Sequence, residues 1–433
     1  MITTKYVRDN IETIRESLQR RKSDYPIEEL LELDKKWREQ KTKLQELQAQ
    51  RNKASMEIAK LKKANAKSAD IEKAQELATK AKIQIDEIEK GMPELESRIE
   101  KLLLNLPNTL HESVPYGKDS SENVEVKRWG TPRQDRVKGH DEILESLNML
   151  DTAQAAEVSG SRFYYLKGDL ALLEQALIRF AIDEMVKKGY TLVSPPILMK
   201  KQYYKGVTAL GDFEEMLYRA GEPAEAGNES IEHIEDDLFM IATSEHPLAA
   251  LYANKVLSSK ELPIKLIGFS PCFRREAGSH GKDTKGIFRT HQFYKVEQFI
   301  FSKQEDSWKF HEELLHNEED LWQKLKIPYR VVNICTGDIG VVAAKKYDIE
   351  AHMPAQNEYR EVTSCSNCTD WQSLRLDIKY DEGGERKYVH TLNATAISIN
   401  RAMVAIVENY VMDNGKIKVP DALVGYMGKE VMG

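Results

Sequence analysis

The chain has 433 residues and is mildly acidic, with 70 Asp and Glu residues, 63 Lys and Arg residues and a formal net charge of −7. Charged residues make up 31% and apolar residues 41% of the sequence, which suits about two or three folded domains. This composition argues against a disordered tail, a membrane protein and a histone-like basic protein. The net charge alone also argues against a nucleic-acid partner, but it does not say how the charges are distributed.

The cysteine usage and the N-terminal residues predict a reducing, cytoplasmic setting. Four cysteines in a chain of this length do not make a disulfide scaffold. The N-terminal residues contain no apolar core before a cleavage site, and no run of about 18 apolar residues occurs anywhere. We therefore expect neither a secretory signal nor a membrane span.

Two apolar runs with heptad spacing dominate residues 27–106. Eight of the ten a- and d-type positions between residues 30 and 61 are apolar, and so are all eleven between residues 71 and 106. The polar stretch between the runs contains no proline that would forbid a tight reversal. The pattern predicts an antiparallel helical hairpin with limbs about 50 Å long, which we call the arm. Pro93 predicts a bend in the second limb.

The outer part of the arm is locally basic. Between Arg51 and Lys82 the sequence has nine basic and four acidic side chains. Lys and Arg side chains release counterions from a phosphate backbone, so this region suits a nucleic-acid probe. The alternative is an ordinary solvated coiled-coil surface, and the charges alone do not decide between the two.

After Pro107 the pattern changes to mixed helices and strands with Gly and Pro punctuation. Helices are predicted over Asp169–Lys188, with Gly189 as a stop, and over Ala394–Met412. Strands are predicted at Thr191–Leu198, Leu238–Ala242, Ile264–Phe269, Gln292–Phe301, Tyr329–Ile334, Tyr359–Thr363 and Trp371–Lys379. Many strands with few helices between them predict an α+β fold with an antiparallel sheet.

One pair of cysteines, Cys365 and Cys368, has the spacing of a metal site. Because a second close pair is missing, we expect small buried thiols and no zinc.

The stretch Phe273–Glu297 (FRREAGSHGKDTKGIFRTHQFYKVE) carries the most chemistry. Arg274 and Glu276 stand at alternate positions, which predicts one face of a strand. After a Gly-rich turn, Arg289, Phe293 and Glu297 follow at even spacing. Such a face can clamp a phosphate, a base and an ammonium group. The alternative is a charged hairpin surface with cross-strand ion pairs.

This stretch resembles motif 2 of the class II aminoacyl-tRNA synthetases, and its details are similar to the seryl-tRNA synthetase family. Four further stretches stand in that family's order: TSEHP (243–247), NICTGDIG (333–340), EYREVTSCSNCTDWQ (358–372) and TLNATAISINR (391–401). The helix and strand ending at Pro195–Pro196 are similar to motif 1, which builds the dimer interface in that family.

The resemblance covers nearly the whole chain and implies its organisation. Residues 1–107 would form a tRNA-binding domain whose coiled-coil arm spans about residues 27–106. Residues 108–433 would form the antiparallel-sheet class II catalytic domain. The implied activity is that of a cytoplasmic, homodimeric serine–tRNA ligase. It would use ATP and Mg²⁺ to form seryl-adenylate and would charge tRNA(Ser), and tRNA(Sec) where that tRNA is present.

The resemblance also assigns roles at the ATP site. Arg274 would hold the α-phosphate beside the serine carboxylate, and Arg401 would bind the γ-phosphate. Glu276 would read the adenine amino group, Phe293 would stack on the adenine ring, and Arg289 would meet the outer phosphates. Arg274 and Arg401 are the catalytic candidates, because adenylate formation needs charge neutralisation and alignment more than proton transfer.

The same resemblance places the metal, serine and tRNA. Glu361 and Ser364 match the positions that coordinate Mg²⁺, a hard ion that suits a carboxylate and a hydroxyl. The serine-binding candidates are Thr243, Glu245, Arg274, Glu297, Asn393 and Thr395. The tRNA-binding candidates are Arg51, Lys53, Lys60, Lys62, Lys63, Lys67, Lys73 and Lys80.

Plainer interpretations exist for several of these residues. Arg401 could form a helix-surface ion pair, and Asn393 and Thr395 could cap a helix before Ala396. The segment Glu214–Asp237 holds nine acidic side chains and one basic one, which indicates a solvated loop or a lid over the adenylate. His280, inside the Gly-rich turn, is expected to be a loop residue near the tRNA end and not a general base.

Two other functions stay open at this stage. A synthetase-like homologue would pass a small activated amino acid to a carrier protein, and it would usually lack the arm. A coiled-coil interaction protein would carry a decayed ATP fold, which the intact Arg274, Glu276, Glu361 and Arg401 argue against.

Overall fold

The computed structural model describes residues 3–65, 67–209, 214–220, 238–276, 283 and 285–433. The chain divides into two compact units: Ile2–Gln19 with Ser23–Leu106, and Arg20–Lys22 with Pro107–Gly433. His280 and residues 221–237 of the acidic segment lie outside the described residues, so the lid hypothesis stays a prediction. None of the helices in the described part of the chain is long and apolar enough to cross a membrane.

The smaller unit is helical. Its helices are α1 (Thr4–Asp9), α2 (Ile11–Arg21, whose last residues belong to the larger unit), α3 (Ile27–Lys63) and α4 (Ser68–Asn105). The helices α3 and α4 pack along each other, and Leu44, Leu47, Ala81 and Ile85 form a buried cluster between them. The predicted helical hairpin is thus confirmed, and α4 continues as one helix through Pro93.

An eight-stranded sheet forms the centre of the larger unit. Its strands, from one edge to the other, are β1 (Val124–Trp129), β11 (Tyr329–Asn333), β12 (Lys345–Met353), β13 (Glu358–Asn367), β16 (His390–Ser398), β10 (Gln292–Ser302), β9 (Ile264–Phe273) and β4 (Thr191–Val193). All neighbours are antiparallel except β4 and β9, which are parallel. The predicted antiparallel α+β fold is therefore confirmed.

Shorter elements complete the unit. The remaining strands are β2 (Leu150–Asp151), β3 (Tyr165–Leu166), β5 (Leu198–Lys200), β6 (Arg219–Ala220), β7 (Leu238–Met240), β8 (Val256–Ser258), β14 (Lys379–Glu382), β15 (Glu385–Tyr388), β17 (Ile417–Lys418) and β18 (Val431–Met432). The helices are α5 (His140–Ser146), α6 (Thr152–Ser159), α7 (Asp169–Lys187), α8 (Lys201–Val207), α9 (Glu245–Ala250), α10 (Ser307–Lys324), α11 (Trp371–Leu376), α12 (Ile399–Tyr410) and α13 (Asp421–Met427).

The largest core lies between the sheet and the helices α7, α10 and α12. Helix α7 buries Leu170, Leu173 and Leu177 at helical spacing, and each such burial contributes roughly 1.5–3 kcal/mol. The helix stops because Gly189 adopts a φ of +87°, which favours glycine.

Three predicted elements need correction. The predicted strand Trp371–Lys379 is the helix α11 followed by the start of β14. The predicted helix Ala394–Met412 is strand to Ser398 and helix only from Ile399, so Asn393 and Thr395 lie on a strand and do not cap a helix. The predicted strand Thr191–Leu198 is split between β4 and β5, which belong to different sheets.

Candidate active site

An open cavity of about 210 Å³ lies over the sheet strands β10, β13 and β16 and the start of α12. Its lining residues include eight that the sequence predicted: Arg274, Glu276, Arg289, Phe293, Glu361, Ser364, Thr395 and Arg401. The predicted Thr243, Glu245, Glu297 and Asn393 do not line this cavity. Glu297 and Thr395 are linked by a hydrogen bond, and Asn393 is linked to Glu245, as described below.

The hairpin of β9 and β10 supplies one side of the cavity. Strand β9 ends at Phe273, so Arg274 and Glu276 follow the strand and do not lie on it, which corrects the prediction. Glu276 has a φ of +49°, and its Oε2 accepts a hydrogen bond of 2.8 Å from Arg289 Nη1. The Arg274 guanidinium lies 5.2 Å from the centroid of the Phe293 ring. The ion pair of the plainer interpretation is thus present in the cavity wall, but it joins Glu276 after β9 to Arg289 before β10 and does not cross between strands.

Two of the strands that line the cavity, β13 and β16, each contain a β-bulge. On β13, Glu361 pairs with Glu350 and Thr363 with Ile349, so Val362 is the extra residue. Because a bulge interrupts the two-residue alternation of a strand, the cavity is lined by all four successive residues from Glu361 to Ser364. On β16 the extra residue is Ala396, and Thr395 and Ser398 line the cavity for the same reason.

Positive charge surrounds Glu361. Arg401 Nη1 donates to Glu361 Oε1 at 3.2 Å and to the Glu361 carbonyl oxygen at 2.9 Å. Burial opposes the ionisation of this carboxyl, but Arg401, Lys346 and Arg274 outweigh it and lower the pKa of Glu361 to about 2. Glu361 is therefore a carboxylate at neutral pH, although half of its side chain remains exposed.

Beneath the cavity lies a buried pair of opposite charges. Lys295 Nζ is 2.5 Å from Glu297 Oε2, and both side chains are buried. Thr395 Oγ1 donates to the same Glu297 oxygen at 3.3 Å. The hydrogen bond between Thr395 and Glu297 follows from the strand register, because Glu297 on β10 stands opposite Thr395 on β16. Lys295 itself lines the cavity, so the pair places charge at its floor.

A second carboxylate lies behind this floor. Glu245, at the first position of α9, accepts hydrogen bonds on Oε1 from Gln372 Nε2 at 3.0 Å and from Asn393 Nδ2 at 3.1 Å. Its main-chain N–H donates to Thr243 Oγ1 at 3.1 Å. Burial and, to a smaller extent, Glu297 raise the pKa of Glu245 to about 7 against the opposing effect of Lys295. The side chains of Asn393 and Gln372 therefore hold Glu245, and neither lines the cavity.

Four residues of this region stand out among those that the sequence did not predict. Lys295, Lys346 and Phe288 line the cavity, and Gln372 holds Glu245. Lys295 was detectable, because it stands midway between Phe293 and Glu297 at the same even spacing. Phe288 and Gln372 stand within the stretches 273–297 and 358–372 that resemble the family motifs, whereas Lys346 stands outside all such stretches.

The basic residues predicted for tRNA lie on the arm. Arg51 is half-buried on α3, and the other seven candidates are exposed. Lys80 forms a 2.7 Å ion pair with Glu76, and both of these side chains are well exposed. Charges presented in this way are available to a partner.

Comparison with known proteins identifies the family. The seryl-tRNA synthetase N-terminal domain family matches residues 1–110, and the class II tRNA synthetase core domain family (G, H, P, S and T) matches residues 229–410. A serine–tRNA ligase from Thermococcus onnurineus is 46% identical, with 100% of this chain and 97% of the relative covered. One from Methanospirillum hungatei is 48% identical, with 99% of both chains covered. The chain belongs to the seryl-tRNA synthetase family.

Solved structures agree with this assignment. The seryl-tRNA synthetase from Pyrococcus horikoshii, complexed with ATP, is 42% identical with a TM-score of 0.90 and covers 100% of this chain and 99% of its own. The cytoplasmic serine–tRNA ligase from Naegleria fowleri, in complex with AMP, is 38% identical with a TM-score of 0.84 over 98% and 95% of the two chains. The resemblance drawn from the motifs is confirmed, and the chain is an enzyme of the class II aminoacyl-tRNA synthetases.

Proposed function

We propose that the chain is a serine–tRNA ligase that activates L-serine with ATP and transfers the seryl group to the 3′ end of tRNA(Ser). Where tRNA(Sec) is present, it would be a second acceptor. The observation that carries the proposal is the cavity that gathers Arg274, Glu276, Arg289, Phe293 and Arg401. Its arginines, with Phe293 beside Arg274 and Phe288 beside Arg401, suit a nucleoside triphosphate.

The roles proposed at the ATP site are those that the family resemblance implies, and the chemistry of the residues supports them. Arg274 beside Phe293 supports a site where an α-phosphate lies next to the adenine ring. The carboxylate of Glu276 can accept the adenine amino group, and Arg289 and Arg401 can neutralise the outer phosphates.

Magnesium fits the residues that are present. Glu361 is held as an anion by Arg401 and Lys346, and Ser364 brings a hydroxyl to the same cavity. A carboxylate and a hydroxyl are hard oxygen donors that leave room for phosphate oxygens. When bound there, Mg²⁺ would neutralise charge on the triphosphate. No role for zinc is proposed.

The serine site is proposed at the floor of the cavity. Thr395 and Glu297 offer a hydroxyl and a carboxylate to the substrate, and Glu245 with Thr243 supports binding of the ammonium group. Asn393 would act through Glu245, to which it donates. A site that hydrogen-bonds a hydroxyl rejects alanine strongly, because its own polar groups would be left unpaired.

The first chemical step is an in-line attack of the serine carboxylate on the α-phosphorus. Pyrophosphate leaves, and Arg274 counters the charge that develops at phosphorus. The 3′-terminal ribose hydroxyl of the tRNA then attacks the carbonyl of the adenylate, and AMP leaves. Both steps depend chiefly on alignment and charge neutralisation.

The rest of the molecule supports binding of tRNA and a second subunit. We propose residues 1–107 as the tRNA-binding domain, with the arm at about 27–106, and residues 108–433 as the catalytic domain. The exposed apolar side chains Leu172, Val186 and Leu192 lie on α7 or β4, the elements that resemble motif 1, and support a homodimer. The cytoplasm is the proposed location.

Serine-dependent exchange of pyrophosphate into ATP tests the first step. The Arg274→Ala substitution should lower the exchange rate by on the order of 10²–10³-fold, because the phosphorus loses its counter-charge. Arg275→Ala is a matched control, because the neighbouring side chain is exposed and does not line the cavity. Wild-type exchange rates in Arg274→Ala would refute the assignment.

A further inference from the structure

Two residues of the cavity wall, Phe288 and Arg289, directly follow a tightly held main-chain segment. His140, the first residue of α5, accepts a hydrogen bond on Nε2 from the Ile287 N–H at 3.2 Å. Gly286 has a φ of +67°, and a Cβ at this position would collide with the His140 imidazole. The segment therefore needs both the imidazole and the glycine.

The imidazole is itself oriented by a buried carboxylate. Because Nε2 accepts a hydrogen bond, Nδ1 carries the proton and donates to Glu408 Oε1 at 3.1 Å. Glu408 also accepts from the His140 N–H at 3.3 Å and from the Ala355 N–H at 3.1 Å. His140 is 9% exposed and Glu408 is 3% exposed, so these bonds are shielded from water.

The carboxylate lies on the helix that also carries Arg401. Glu408 follows Arg401 by about two turns of α12. The Arg401 guanidinium lies 5.1 Å from the centroid of the Phe288 ring, and the Arg360 guanidinium lies 4.5 Å from it. The helix thus contacts Phe288 directly through Arg401 and holds the residue before Phe288 through Glu408 and His140.

We propose that His140 is a positioning residue of the ATP site, which fixes the Ile287 main chain and thereby sets Phe288 and Arg289 in the cavity wall. Without the hydrogen bond from Ile287 to His140, Phe288 would shift from its position beside Arg401, and Arg289 would shift from its position beside Glu276. This inference rests on the proposed function and adds a residue that does not line the cavity.

Two substitutions of similar size separate the two hydrogen bonds of the ring. His140→Gln keeps an acceptor at the distance of Nε2, so it preserves the bond to Ile287. His140→Asn keeps a donor at the distance of Nδ1, so it preserves the bond to Glu408 and loses the bond to Ile287. The measurements are the Kd of ATP by calorimetry without serine, the KM values of ATP and serine in pyrophosphate exchange, and the midpoint of thermal unfolding.

We expect His140→Asn to raise the Kd and KM of ATP about tenfold, the effect of one lost hydrogen bond at a shielded site. The KM of serine should stay within about twofold of wild type, and His140→Gln should behave like wild type in both. Gly286→Ala should raise the ATP constants as well. Gly428→Ala is its control, because Gly428 has a φ of +66° and open space where its Cβ would stand.

Two results would overturn the proposal. One is a wild-type Kd for ATP in His140→Asn. The other is an equal loss in ATP and serine constants together with a lowered unfolding midpoint, which would mean a merely structural role. If the wild-type enzyme bound ATP without serine-dependent exchange, the proposed function would fail, and the ATP Kd values would still test His140.

Discussion

Single side chains decide the electrostatics of the site. Glu361 and Glu245 are both carboxyls in protein surroundings, yet their pKa values shift in opposite directions. Three cations near Glu361 lower its pKa to about 2, whereas burial and Glu297 raise that of Glu245 to about 7. The ionised Glu361 is thus suited to a metal ion, whereas Glu245 titrates near neutral pH.

The pH dependence of serine binding follows from Glu245. Because its pKa is raised, the carboxyl is neutral below about pH 7 and loses its attraction for the serine ammonium group. We expect kcat/KM for serine in pyrophosphate exchange to fall as the pH drops below about 7, by up to tenfold per unit. In Glu245→Gln this fall with decreasing pH should be absent, and kcat/KM for serine should be low at every pH.

The matched control for this titration is Glu174→Gln. Burial also raises the pKa of Glu174, but this residue lies on α7 and does not line the cavity. Glu174→Gln should show the same fall of kcat/KM for serine below about pH 7 as the wild type. A wild-type profile that stays flat down to about pH 5.5, or an unchanged fall in Glu245→Gln, would contradict the account.

Whole elements differ in how well the sequence predicted them. The arm was predicted within a few residues at each end, because its heptads repeat along helices of about ten turns each and depend only on local spacing. Helix α11 was mistaken for strand because all six of its residues are buried, which leaves no amphipathic period to read. Residues 394–398 of β16 were mistaken for helix because this strand is buried on both faces and lacks polar alternation.

The residues of the site also differ in how well the sequence predicts them. The family resemblance named eight of the cavity residues, including Glu361 and Ser364, but no local pattern in the sequence predicts the bulge between these two residues. His140 could not be predicted, because its partners Ile287 and Glu408 stand 147 and 268 residues away in the sequence. Such contacts are set by the tertiary fold alone.

The arm is the element that should bind tRNA. Changing Lys60, Lys62, Lys63, Lys67 and Lys73 to Gln should raise the KM of tRNA on the order of tenfold and flatten its dependence on salt, because fewer counterions are released. Serine-dependent pyrophosphate exchange should be unchanged, since none of these five side chains lines the cavity.

A matched control for the arm removes the same number of charges elsewhere on it. Lys35, Lys36, Lys41, Lys43 and Lys101 lie towards the other ends of α3 and α4 and are exposed. Their change to Gln should leave the KM of tRNA within about threefold. Equal effects of the two sets would show that charge number and not position matters, and the tRNA assignment of the outer arm would fail.

The whole molecule is expected to be a dimer. Sedimentation should give about twice the chain mass of 49.6 kDa. Leu172→Lys with Leu192→Lys should shift the equilibrium to the monomer, because both side chains are about half exposed on elements that resemble motif 1. Val124→Lys, on the opposite edge strand of the sheet, should stay dimeric. A wild-type monomer at micromolar concentration would contradict the homodimer.

The charges of the whole chain are unevenly distributed along the sequence. The net charge of −7 argued against a nucleic-acid partner, yet the acidic segment Glu214–Asp237 accounts for an excess of eight negative charges. The outer arm, from Arg51 to Lys82, has an excess of five positive charges. An acidic protein can therefore present a basic surface to tRNA.

The most direct test of the account is aminoacylation of unfractionated tRNA, measured with radiolabelled serine, alanine, threonine and glycine in parallel. We predict that serine alone is attached, and that periodate oxidation of the tRNA 3′ end abolishes the attachment. Serine-dependent pyrophosphate exchange without any charging of tRNA would contradict the account and favour transfer to a carrier protein.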